Sequence, residues 1–219
     1  IDSSLSIYKD YSLITAFNQS TTGLKMDVHL QTVVEKSLTI SKKSNGAFDI
    51  TFASVGFYYD YRNHKKPDAT VLQKARQYVN YQSVELLKNN TVRFAQPGVK
   101  IDLGGIAKGY AVERSIALLA QHGIRNALLT AGGDTRLLGD KRGKPWLVAI
   151  KHPRQDDKYA AQLPLENSAI STSGDYERYF IEDGVRYHHI LDPKTGQSAT
   201  GLLSVTVTGA DTTQTDALS

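Results

Sequence analysis

Strand-like and helix-like stretches follow one another along this chain without regular alternation, and that irregularity constrains the fold more than any single motif. A doubly wound parallel sheet needs strand and helix to alternate, so the mixed order calls instead for an α+β fold, mainly antiparallel sheets with helices packed on them. The helices are read from apolar spacing. Leu30, Val34 and Leu38 recur one turn apart within 29–43, and Asn45-Gly46 stops that run. Val71, Leu72, Ala75 and Val79 share one side of 69–79. Val112, Ile116 and Leu119 line one face of 108–122, with Gly123 as its C-terminal cap. A last helix starts near Thr213. Strands are expected at 47–52, 99–103, 124–130, 146–151 and 179–181, with a hairpin of 84–87 and 91–94 about Asn89-Asn90. Residues 203–208 alternate strictly, as a half-buried strand does. Residues 1–20 read as a short amphipathic piece with turns, and 56–67 as a loop. The order helix, strand, helix, strands occurs in each half, which is compatible with an internal duplication.

The 219 residues are read as a single domain, 1–219, with 40% hydrophobic residues to build a core. The formal charge is only +4, and the basic residues cluster no further than Lys42-Lys43 and His64-Lys65-Lys66, so no nucleic-acid surface is indicated. With no cysteine, disulfides and thiolate metal sites are excluded. No apolar stretch is long enough to span a bilayer, and no signal-peptide pattern is present. The chain begins at Ile1 and stops inside a helical pattern at Asp216-Ala217-Leu218-Ser219, so both ends are expected to be cuts in a longer protein.

Four segments carry chemistry. In Asp102-Leu103-Gly104-Gly105-Ile106-Ala107-Lys108-Gly109-Tyr110, glycines permit close backbone approach, a helix start offers N–H groups to an anion, and Lys108 adds a charge suited to phosphate. The run is neither a Walker loop nor a dinucleotide fingerprint, and alone it serves equally as a plain strand-to-helix turn. Ala131-Gly132-Gly133-Asp134 is read as a structural bend. In 171–178, Thr172 and its neighbouring hydroxyls can cup a phosphate or cap a turn, and Arg178 is expected to pair with a nearby acid. His188-His189 precedes the turn Asp192-Pro193-Lys194-Thr195-Gly196, so the pair stands at a strand end, where an imidazole can take a proton from a hydroxyl nucleophile. The remaining histidines and the solitary Asp216 read, by themselves, as ordinary surface or core groups.

The motifs in this order resemble the ApbE family, the FAD:protein FMN transferases, nearly from end to end. The landmarks are Leu5-Ser6-Ile7-Tyr8, Gly46-Ala47-Phe48-Asp49-Ile50-Thr51, the Asp102 to Val112 run, Ala131-Gly132-Gly133-Asp134, Thr172-Ser173-Gly174-Asp175-Tyr176, His189-Ile190-Leu191-Asp192-Pro193-Lys194-Thr195-Gly196 and Asp216-Ala217-Leu218-Ser219. The resemblance implies Mg²⁺-dependent cleavage of FAD, with FMN passed to a threonine or serine of an acceptor flavoprotein and AMP released. Alternatives it leaves open are hydrolysis of FAD to FMN and AMP, or flavin binding without turnover. It also implies residence on the periplasmic or extracytoplasmic side of a bacterial membrane, often through a lipid anchor, with subunits of membrane redox complexes as acceptors. Position by position, it implies that Tyr8 stacks on the flavin and that Ala47, Phe48 and Asp49 line the FAD pocket. Asp102, Lys108, Thr172 and Ile190 would touch the cofactor. Gly105 and Ser219 would offer carbonyls, and Asp216 its carboxylate, to Mg²⁺, while His189 would be the base. The family's early Met-Gly-Thr strand and the threonine that follows the position of Ser219 lie outside the chain, and 52–67 departs from the commoner family version.

Overall fold

The computed structural model describes residues 1–219. In chain order the elements are α1 (Asp2–Leu5), α2 (Leu13–Gln19), β1 (Leu24–Lys25), α3 (Val28–Lys43), α4 (Ala53–Gly56), α5 (Ala69–Arg76), β2 (Val84–Leu87), β3 (Thr91–Phe94), α6 (Ala107–Gln121), β4 (Ala127–Ala131), β5 (Asp134–Leu138), β6 (Trp146–Lys151), β7 (Tyr159–Leu165), β8 (Ala169–Gly174), β9 (Tyr179–Glu182), β10 (Val185–His188), β11 (Ser204–Gly209) and α7 (Thr212–Leu218). They are a mixture of helices and antiparallel sheets, and no helix is long and apolar enough to cross a membrane. Two compact units divide the chain: Ile1–Gly105 with Arg178–Ala199, and Ile106–Glu177 with Thr200–Ser219.

The first unit holds the antiparallel sheet β1-β3-β2 and the hairpin of β9 and β10. Its longest helix, α3, starts where the Asp27 side chain accepts from the Leu30 N–H. It buries Leu30, Val33, Val34, Ser37, Ile40 and Ser41, a stripe at helical spacing. The two buried serines donate back to carbonyls one turn earlier, so neither hydroxyl is left unsatisfied. Ile14, Phe17 and Val92 are also fully buried, and Phe17 stacks on Phe94 with centroids 4.1 Å apart. Between β9 and β10, Asp183 and Gly184 both take positive φ, which suits the right-handed twist of a two-residue hairpin.

The second unit holds the antiparallel sheet β11-β8-β5-β4, with α6 and α7 against it, and a ribbon of β6 and β7. Alternate residues of β8 aim at α7: Ser171 Oγ meets Thr215 Oγ1 and Ser173 Oγ meets Ser219 Oγ, each at 2.8 Å. Thr172 instead pairs with its cross-strand partner Thr206, hydroxyl to hydroxyl at 2.9 Å.

Two expected strands are absent. In 47–52, the Asp49 side chain accepts from the N–H of Thr51 and folds Ile50–Phe52 into a 3₁₀ turn. Aspartate competes for the backbone in this way wherever it lies two residues before an N–H. In 99–103 the backbone pairs with no neighbouring strand. The Asn18 amide takes that place, accepting from Ile101 N–H and donating to Ile101 O, both at 2.8 Å. Ser54 Oγ accepts from Lys100 N–H and Ile50 O from Asp102 N–H. Five strands fall outside the ranges expected from the sequence, β1, β5, β7, β8 and β10; β1 and β8 pair with strands far away in sequence, whereas β5 and β10 are the return arms of two-residue hairpins and β7 pairs with β6 just before it.

Candidate active site

The start of α6 has no local cap. Ile106 stands at the cap position with no side-chain acceptor. The early N–H groups of a helix need partners, and a carboxylate there is favoured by the helix dipole as well. Asp216, from α7, fills the role: its Oδ2 accepts from Gly109 N–H at 2.8 Å. The start of α7 is served in return, because Glu113 of α6 accepts from both the N–H and the hydroxyl of Thr212 at 2.9 Å. This mutual capping needs the two helices very close together. A side chain at Gly109 would run into the Thr212 carbonyl and come within 2.7 Å of the Asp216 Cβ, so only glycine fits.

Lys108 lies one residue before that glycine. Its ammonium is 3.0 Å from Asp216 Oδ1 and 3.0 Å from Asp134 Oδ2, and the side chains of both acids are almost wholly buried. Gly132 makes room for it: at φ +58 the chain bends there, and a side chain would press the Lys108 stem at 3.2 Å. Burial pushes the Asp216 pKa up to about 6; Lys108 and the Gly109 N–H act against that rise, and Asp134 adds to it. Burial also opposes the charge on Lys108, but Asp216 and Asp134 outweigh it and hold its pKa above the ordinary lysine value. Two buried carboxylates thus share one monovalent cation whose own side chain is 43% exposed, leaving an uncompensated negative charge. No group of three His, Asp or Glu side chains gathers here, but buried carboxylate oxygens are the donor type a hard divalent cation such as Mg²⁺ takes, usually from one or two carboxylates.

In the first unit the structure separates the two histidines. His188 is 5% exposed and committed to the scaffold: Nε2 lies 2.8 Å from the Ala199 carbonyl, and its backbone exchanges hydrogen bonds with Ser198 Oγ. His189 comes directly after β10 and is half-buried; its N–H donates to the Arg178 carbonyl. Ile190 follows, its carbonyl accepting from Ala199 N–H. Arg178 does not pair with an acid as expected; it donates to the Tyr8 hydroxyl at 2.9 Å. The Tyr8 ring is left 73% exposed, with its face available for stacking.

The remaining candidates are placed as follows. Phe48 is half-buried beside Gly105, where an added Cβ would lie 3.6 Å from its ring, and Ala47 is exposed. Asp49 is 6% exposed, and its carboxylate is spent on the Thr51 N–H and hydroxyl and the Tyr81 N–H. Asp102 accepts from Gly104 N–H and so shapes its own turn. Thr172 sits mid-strand in β8. The Ser219 hydroxyl donates to the Asp216 carbonyl at 3.0 Å. The residue that sequence reasoning passed over is Asp134. Its signal was weak: an acid directly after two glycines, at the head of a strand.

A sequence model of the ApbE family matches residues 1–219. The FAD:protein FMN transferase of Haemophilus influenzae is 32% identical over 233 residues, covering 100% of this chain and 67% of that protein. The protein of that name from Vibrio cholerae serotype O1 is 33% identical over 215 residues, covering 94% and 64%. Among solved structures, the ApbE protein of Thermotoga maritima matches with a TM-score of 0.92 at 37% identity, over 99% of this chain and 72% of that one. The flavin transferase ApbE from Vibrio cholerae matches at 0.86 and 30%, over 99% and 72%. The chain therefore spans about two thirds of the length of the curated relatives it matches.

Proposed function

The chain belongs to the ApbE family, and from that premise we propose that it is a flavin transferase: it takes FAD and passes the FMN half to a threonine or serine hydroxyl of an acceptor flavoprotein, releasing AMP, with Mg²⁺ as cofactor. The observation that supports this best is the charge cluster at the start of α6, where Lys108 of the glycine-rich run, Asp134 of Ala131-Gly132-Gly133-Asp134 and Asp216 of the carboxyl-terminal motif meet. In this reading Asp216 and the Ser219 carbonyl hold the cation. When bound, Mg²⁺ would neutralise diphosphate oxygens and ease the approach of a nucleophile.

The chain's own residues do the rest. Tyr8, steadied by Arg178, offers an exposed ring to the flavin. Phe48 and Ala47 line the cofactor's path, and Lys108 supplies positive charge to a phosphate. His189 takes the proton of the acceptor hydroxyl as its oxygen attacks the FMN-side phosphorus. The bond to the bridging oxygen breaks, and AMP leaves with the electron pair. Its backbone anchorage to Arg178 and the scaffold role of its neighbour His188 hold the base in place. We also propose, from the family resemblance, an acceptor among membrane redox-complex subunits on the extracytoplasmic side.

The test incubates the protein with FAD, Mg²⁺ and candidate acceptors and weighs the acceptor by mass spectrometry. An FMN-sized gain that EDTA abolishes is expected; no gain with any flavoprotein of the same genome counts against the reading. AMP release without acceptor, as fast as transfer, would turn it into hydrolysis. His189→Ala should keep FAD binding and slow transfer by about 10²–10⁴-fold. Equal rates would remove His189 as base.

A further inference from the structure

Both oxygens of Asp216 are already in use. Oδ2 holds the Gly109 N–H at the start of α6, a bond the helix needs, and Oδ1 holds the Lys108 ammonium. A divalent cation that binds Asp216 must therefore meet Lys108, and two positive charges against one buried carboxylate oxygen repel. The Gly109 bond is fixed by the close approach of α6 and α7; the lysine bond is not, because an ammonium on a flexible stem can pivot. A second buried carboxylate, Asp134, lies at the same 3.0 Å distance from the ammonium. It is presented by the bend at Gly132 and Gly133, and Gly132 leaves space for the lysine stem.

We propose that Lys108 and a divalent cation compete for Asp216, and that Asp134 retains Lys108 when the cation displaces it. Lys108 is then a stand-in for the metal before loading and a charge for the diphosphate after it, which orders the events: cation first, dinucleotide second. Asp134 is a positioning residue, acting through Lys108. The inference rests on the reading of Asp216 as a cation ligand and adds two residues to how that site is loaded.

Mn²⁺ alone is titrated into the flavin-free protein and followed by electron paramagnetic resonance. Lys108→Gln should bind Mn²⁺ tighter, by roughly tenfold, because the competitor is gone. Asp134→Asn should bind it more weakly, since the lysine then concentrates on Asp216. In the Lys108→Gln background the Asp134→Asn change should cost clearly less affinity than in the parent. Unchanged or weaker binding by Lys108→Gln overturns the competition. An equal loss from Asp134→Asn in both backgrounds overturns its role through the lysine. A second measurement needs no variant: saturating Mg²⁺ should raise the reaction of Lys108 with an amine-labelling reagent severalfold, read by peptide mass spectrometry, and unchanged labelling overturns the exchange. If the parent binds Mn²⁺ and the labelling stays unchanged, the competition falls while Asp216 stands as a ligand. If no divalent cation binds at all, both fall.

Discussion

Asp49 in the first unit and Asp216 in the second are both buried aspartates whose pKa burial pushes up, yet they are built for different work. Asp49 is surrounded by neutral donors: the Thr51 N–H and hydroxyl and the Tyr81 N–H. The Thr51 donors belong to the turn that it shapes and the Tyr81 N–H to a second turn 32 residues on, and none of the three is a charged, mobile group. Asp216 has one fixed backbone donor and one mobile cation, with a second carboxylate 3.0 Å from the same ammonium. A carboxylate with a full set of neutral donors is a staple, because replacing any partner leaves a buried group unsatisfied. A carboxylate that shares a cation with another acid carries excess negative charge and accepts an exchange of cations.

Substitutions can break this contrast. The largest effect is expected at the second site but in its frame, not its charges: Gly109→Ala forces α6 away from α7 and should cost about 3 kcal/mol in denaturant unfolding. Next is Asp49→Asn, which points an amide NH₂ at donors that need an acceptor and should cost about 2 kcal/mol by the same measurement. Asp175 is an intermediate case, held by Arg154 through two bonds of 2.7 and 2.5 Å. Arg154→Met should cost about 1 kcal/mol, discounted because the arginine is partly exposed. The smallest change is expected for Asp216→Asn, which relieves the carboxylate excess and leaves Lys108 with Asp134. At pH 7 without divalent cations its stability should lie within about 1 kcal/mol of the parent, or above it.

The pH dependence sharpens the last comparison. A carboxyl whose folded pKa is about 6, above the ordinary 3.8, contributes stability that is present below pH 3.8 and lost as pH rises through about 6. The parent should therefore lose stability relative to Asp216→Asn between pH 4 and pH 7, measured as the difference in unfolding midpoints without divalent cations. A constant difference across that window would show that Asp216 is not strained by its surroundings.

Much of the fold was legible where one element carries its own signal. The apolar stripes of α3 and α6, the Asn45-Gly46 stop, the Asn89-Asn90 hairpin and the alternation of β11 all report local periodicity or turn chemistry. The strand expected at 99–103 failed because its hydrogen-bond partners are side chains, above all that of Asn18, 83 positions away from Ile101. The hydroxyls of 171–178 fit a phosphate cup or a turn cap equally well in the sequence; in β8 those of Ser171, Thr172 and Ser173 bond to Thr215, Thr206 and Ser219 instead. The histidine pair was found as a pair, but nothing in two identical side chains says that one is bonded into the scaffold and its neighbour left half-buried.

By itself the sequence determined the helices α3, α5, α6 and α7, the antiparallel character, the order of the family's motifs and hence the family. These depend on spacing along the chain, which a reader of the chain can count. Tertiary structure alone decided that Asp216 caps a helix it does not belong to, that Asp134 joins Lys108, and that Asp49 is a staple. The physical reason is that a buried carboxylate takes its character from whichever donors and charges the fold brings to it, and those partners here stand up to 108 positions away.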